Sequence, residues 1–218
     1  MQKSTRTSLA ILALISIGAV LYSGFLSLSE KSFIGQLQEG PLILPVKPIL
    51  QGQVTSCGEA VITMAYNYAH PEVPIQESNV IAYATEMSYF TPDRPPFTSP
   101  ANMQNIAKYY TDEVSSGRVL TQSQGLALLF QKIQNNEPVI IDVLTRLNDP
   151  DSGAHFVLVT GISLDETHEN TILIHYNNPL TGRGEFAPWS DTDGLWNAWQ
   201  KNGDPGGAGW WMAIDARE

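Results

Sequence analysis

The chain has 218 residues and a single cysteine, Cys57. One cysteine cannot close an intramolecular disulfide, so Cys57 is a buried small residue, a free thiol or an intermolecular link. Basic residues are also scarce. There are 12 Lys and Arg against 22 Asp and Glu, a formal net charge of −10, and no basic cluster lies beyond the amino terminus. Phosphate binding draws on positive charge to release counterions, so nucleic acid is not an expected partner. The acidic balance favours solubility. Internal repeats and low-complexity tracts are missing. One cysteine and scattered histidines give no ligand spacing of the zinc kind, and no metal or organic cofactor is implied. What is present is ordinary for a globular chain: 43% hydrophobic and 16% charged residues. A chain of this length builds a core without covalent staples.

The amino terminus, "MQKSTRTSLAILALISIGAVLYSGFLSLSE", carries Lys3 and Arg6 and then no charge from Thr7 to Ser29. Its apolar part, Leu9 to about Leu26, is near the length that crosses a bilayer. Positive charge ahead of it predicts an inside amino terminus and an exported remainder. Residues 1–29 therefore read as a transmembrane anchor or signal segment. The best small-x-small site, "SLS" at 27–29, follows a run longer than a cleavable signal needs, which favours the anchor. No cysteine there can accept a lipid. The expected location is outside the cytoplasm, membrane-anchored or secreted. Cysteines in such compartments usually pair, so a lone one points towards chemistry. Residues 30–44 read as a linker, an extended arm with room for an edge strand, and 45–218 as the folded domain.

From Cys57 the pattern turns helical, with Ala60, Val61, Met64, Ala65 and Tyr68 on one face, and "HPEVP" ends the helix. A second helix is expected from Gln76 to about Met87. "SYFTPDRPPFTSP" is loop. "SPANMQNIAKYY" predicts a short helix with Ser99 as cap and Pro100 at its first position. "TQSQGLALLFQKIQNNEP" predicts another, capped by Thr121. Strand patterns follow: "VIIDVLT" (139–145), "HFVLVTGI" (155–162), "TILIHY" (171–176) and "GWWMAIDA" (209–216). Helices first and a mostly antiparallel sheet after them define an α+β domain.

A cysteine at a helix start has unpaired backbone N–H groups and the positive end of the dipole near its sulfur, which predicts a lowered thiol pKa. Gly58 allows close backbone approach. A thiolate also needs a base and an oxyanion donor, and Gln51, six residues ahead, has a suitable amide. Among the histidines, His70 sits in a turn, His168 in a polar loop and His175 within a strand. His155 opens an apolar strand after the turn "DPDSGA", where rigid scaffolds present catalytic groups. If that strand pairs with the next, Asn177 or Asn178 at the far end lies near His155 and fixes its tautomer. Trp189, Trp196, Trp199 and the "GWW" segment read as core, with a peptide groove as the alternative.

"QGQVTSCGEA", "HFVLVTGI" and "NPLTG" occur in the order seen in papain-like cysteine peptidases. Over about residues 45–216 the chain resembles that group, and within it the compact bacterial branch of bacteriocin-leader (double-glycine) peptidases and their secreted relatives. The resemblance implies a papain-like α+β fold, N-terminal helices on a mostly antiparallel sheet, and hydrolysis of peptide or isopeptide bonds in a peptide or protein substrate. By position it implies Cys57 as nucleophile, His155 as general base and acid, Asn178 as the group orienting the imidazole, and Gln51 as oxyanion donor with the Cys57 N–H. Two residues depart from the pattern. Glu59 stands where Pro is frequent, and Asn178 where this branch usually has Asp; a neutral Asn stabilises an imidazolium less than a carboxylate does. Leader processing does not carry over, because it belongs to cytoplasmic domains fused to exporters. The alternatives are an acyl or peptidyl transferase on the same fold, and a non-catalytic peptide-binding module.

Overall fold

A computed structural model describes residues 33–165, 167–168, 171–190 and 192–215. The expected anchor or signal segment, 1–29, lies outside them. Among the described residues no helix is long and apolar enough to cross a membrane. The strands are β1 (Leu42–Ile43), β2 (Val114–Arg118), β3 (Val139–Leu144), β4 (Ala154–Leu164), β5 (Ile172–Asn178), β6 (Arg183–Pro188) and β7 (Trp210–Ile214). The helices are α1 (Cys57–Ala69), α2 (Glu77–Glu86), α3 (Pro100–Tyr110), α4 (Gln122–Gln134) and α5 (Leu195–Gln200), with a further helical turn at 33–38.

The helix starts follow their caps. Ser99 and Thr121 each accept a hydrogen bond from a backbone N–H of the first turn, those of Asn102 and Gln124. That satisfies donors the helix itself cannot pair. The strands form one antiparallel seven-stranded sheet in the order β2-β7-β3-β4-β5-β6, with β1 added against β4. Strand β3, "VIIDVL", is buried along its whole length. A run without alternation is what a strand covered on both faces requires. Helix α1 packs on β4 and β3, and α5 packs on β3. Trp199 of α5 is fully buried and donates its indole N–H to the Trp210 carbonyl at 2.7 Å.

Residues 33–44 pack on the domain: Leu37 and Leu44 are buried, and Phe33 stacks on Phe130 with ring centroids 4.4 Å apart. The pairing of β1 depends on Gly161, which sits at a bulge in β4. A Cβ there would stand 2.6 Å from the Leu42 carbonyl oxygen, so any side chain would push β1 away.

The sheet order sets the site. Strands β4 and β5 are antiparallel neighbours with Leu158 opposite Asn177, so the first residues of β4 and the last of β5 share one end of the sheet. The amino end of α1 packs against that same end.

Candidate active site

Gly58 explains why α1 can seat there. A Cβ at this position would stand 2.6 Å from Met103 Sδ and 3.4 Å from a Phe156 ring carbon. The first turn of α1 is thus pressed between α3 and β4, which carries Cys57 to the start of β4. The loop before it is held by Glu77. Its carboxylate accepts the Gly52 N–H at 2.9 and 3.0 Å and the Ser56 hydroxyl at 2.8 Å. Gln51 donates its backbone N–H to the Pro179 carbonyl at 2.9 Å. The segment ahead of the cysteine therefore rests on the turn that follows Asn178.

Cys57, His155 and Gln51 line one cavity of about 790 Å³. Its walls come from the loop at 95–98, the loop at 150–154, Leu180, and the 202–205 segment with Asp204. His70, His168 and His175 lie elsewhere; His175 Nε2 meets the Ser163 hydroxyl at 2.8 Å. Among the described residues no tryptophan lines the cavity. Trp196, Trp199 and Trp210 are core, and Trp189 packs on the first two.

His155 is buried, and its Nε2 lies 2.9 Å from Asn178 Oδ1. The Leu180 N–H also donates to that oxygen at 3.0 Å, and Asn178 Nδ2 donates to Glu185 Oε2 at 3.0 Å. These partners fix the amide orientation, so Oδ1 can only accept and His155 Nε2 must carry the proton. In the neutral ring Nδ1 therefore holds the free lone pair. Asn177 is used differently, donating to the Val46 carbonyl at 3.0 Å.

Gln51 turns its amide inwards. Nε2 donates to the carbonyls of Gln53 at 2.8 Å and Val54 at 2.7 Å, while Oε1 is buried and has no partner among the described residues.

The electrostatics differ from the helix-terminus expectation. Burial pushes the Cys57 thiol up to about 12, and the charges of Glu59 and Asp142 add to the rise. The backbone N–H groups of Phe156 and Gly58 pull the other way but do not prevail. Desolvation of the partly buried thiolate outweighs the favourable helix start. Burial also holds His155 below its usual 6.5, opposed by the Asn178 hydrogen bond and the Glu185 charge. Both shifts favour the uncharged forms, so the resting pair is thiol and neutral imidazole. Asp142 of β3 is fully buried; burial and the neighbouring Asp204 carboxyl push it well above the carboxylate range. Glu59 is fully buried, accepts the Thr98 hydroxyl at 2.7 Å, and is raised to about 7, chiefly by burial.

Glu77 and Glu185 escape sequence reasoning because both lie in polar stretches. Their one signal is positional: Glu77 opens α2, and Glu185 follows the "NPLTG" turn in a hairpin with β5.

The model of the Peptidase_C39 like family matches residues 43–205, more than half of the chain. No curated protein matches the sequence.

Proposed function

The chain belongs to the C39-like peptidase family, and from that premise we propose that it is an extracytoplasmic cysteine peptidase working through Cys57, His155 and Asn178. The family implies cysteine peptidase activity and a peptide or protein substrate. The finer reading is supported by one observation above others: His155, pinned by Asn178 at 2.9 Å, shares a cavity with Cys57. The export reading rests on Lys3, Arg6 and the apolar run behind them.

In this mechanism Nδ1 of His155 takes the Cys57 proton as the sulfur attacks the scissile carbonyl. The Cys57 backbone N–H, at the first position of α1, donates to the developing oxyanion. Gln51 adds a second donor once one of its N–H groups leaves the Gln53 or Val54 carbonyl. Nδ1–H then protonates the leaving amine, and the C–N bond breaks to leave a thioester on Cys57. His155 next takes a proton from water, whose oxygen attacks the thioester, releasing a carboxylic acid and restoring the thiol. Asn178 keeps Nε2 protonated throughout, so the ring presents the same nitrogen at each step.

The test is incubation of the full chain with a mixed-sequence peptide library, with and without hydroxylamine, read by mass spectrometry. Wild type should yield peptides with new carboxyl termini, and hydroxylamine should convert part of them to hydroxamates by intercepting the thioester. Cys57→Ala should yield neither. Hydroxamates without hydrolysis would indicate a transferase, and the absence of both products would leave a binding module.

A further inference from the structure

We infer that Glu185 is a positioning residue of this site: it clamps Asn178 against His155 and supplies the negative charge that the asparagine lacks. The inference rests on the Cys57–His155–Asn178 reading. Three observations lead to it. Glu185 lies on β6 opposite Tyr176, and Asn178 is two residues further along β5, so both side chains are on one face. The Glu185 carboxylate accepts Asn178 Nδ2–H at 3.0 Å on one oxygen and the Thr181 hydroxyl at 2.6 Å on the other. Asn178 Oδ1 in turn accepts from His155. The result is an unbroken line from imidazole to amide to carboxylate.

Such a line has an electrostatic consequence. When Nδ1 of His155 gains a proton, the ring becomes an imidazolium inside a buried site. A carboxylate one amide away stabilises that charge directly, and also by polarising the amide so that Oδ1 becomes a better acceptor. Of the titratable groups around His155, Cys57 comes from α1, Asp142 from β3, Asp151 and Asp204 from the cavity wall, and Glu185 from β6. Glu185 is coupled to the ring through the Asn178 side chain and acts in favour of its protonated form. Tyr176, facing it across the ladder, has its hydroxyl pushed up by burial and by the same carboxylate.

Glu185→Gln removes the charge and keeps the shape, since the amide oxygen still accepts from Asn178 and its nitrogen can donate to Thr181. The experiment is the rate of Cys57 alkylation by iodoacetamide against pH in the full chain. In E185Q the neutral-pH plateau should fall on the order of tenfold, the effect of losing one charge-assisted hydrogen bond, and its acid limb should move to lower pH. Adding Asn178→Asp to E185Q should restore most of the rate by placing the charge one residue nearer. Asn178→Asp alone, which sets two carboxylates face to face, should give no gain. A residue that only shapes the hairpin would move neither the acid limb nor the sign of the Asn178→Asp effect. The inference is overturned if E185Q matches wild type in height and limb while His155→Ala loses the plateau. It is also overturned if Asn178→Asp acts alike in both backgrounds. Loss of nothing in His155→Ala would bring down the underlying triad reading as well.

Discussion

Replacing His155 by alanine is expected to lower kcat/KM for peptide hydrolysis at pH 7 by about 10²- to 10⁴-fold, the range that general acid–base catalysis contributes. The reason lies in Cys57. With its thiol pushed up to about 12 by burial and by Glu59 and Asp142, only about one molecule in 10⁵ would be ionised at pH 7 without a partner. The N–H groups of Phe156 and Gly58 do not close that gap. A base must therefore accept the proton during attack, and His155 Nδ1 is free because Nε2 is committed to Asn178. Cys57→Ala should remove hydrolysis entirely. Cys57→Ala should unfold within a few tenths molar of the wild-type denaturant midpoint. His155→Ala empties a buried imidazole site and deprives Asn178 Oδ1 of a donor, so its midpoint should fall and its activity is compared where denaturant curves show it folded. A His155→Ala protein with more than a tenth of wild-type activity would rule out the role.

The second large effect concerns stability. Glu59 is raised from 4.5 to about 7 in the folded chain, mainly by burial; it is fully buried, and one of its oxygens has no partner among the described residues. Between pH 4.5 and 7 the folded chain holds a proton that the unfolded chain has released. Stability is therefore fully present below the unfolded value, falls as pH rises through this window, and levels off above it. The loss amounts to about 3 kcal/mol. Glu59→Gln does not titrate and retains an acceptor for the Thr98 hydroxyl. Urea unfolding at pH 4.5 and pH 8 should show the difference between the two shrinking by about 3 kcal/mol in the variant. Asp142 and Asp204, also raised, contribute equally to both proteins and cancel. Equal pH dependence in wild type and Glu59→Gln would contradict the assignment. The same ionisation adds negative charge beside Cys57, which links acid-side stability to the chemistry of the thiol.

Much of this was legible in the sequence wherever apolar periodicity or a cap made the signal. Ser99 with Pro100 marks the start of α3, and Thr121 that of α4. The runs at 139–145 and 209–216 cover β3 and β7, and those at 155–162 and 171–176 cover most of β4 and β5. Strands β2 and β6 were not legible. "VSSGR" and "RGEFAP" are polar edge strands formed by backbone pairing with β7 and β5, so they need no apolar face. Helix α5 is too short for a period to show. At the candidate site, a cysteine-glycine pair at a helix start and a histidine opening a strand could be read directly. The nearness of Asn178 to His155 required only that two successive strands pair. The clamps formed by Glu77 and Glu185 depend on register and on loop contacts across the chain. The sign of the Cys57 shift depends on burial, which spacing does not report.

The most direct test is the rate of Cys57 alkylation by iodoacetamide as a function of pH, in the full chain, wild type beside His155→Ala. If Cys57 and His155 act as a pair, the wild-type rate rises through a group titrating below 6.5. It then holds a plateau across the range below the ~8.5 of a free thiol, and the plateau vanishes in the variant. A rate that climbs only at or above the free-thiol range, alike in both proteins, would contradict the account.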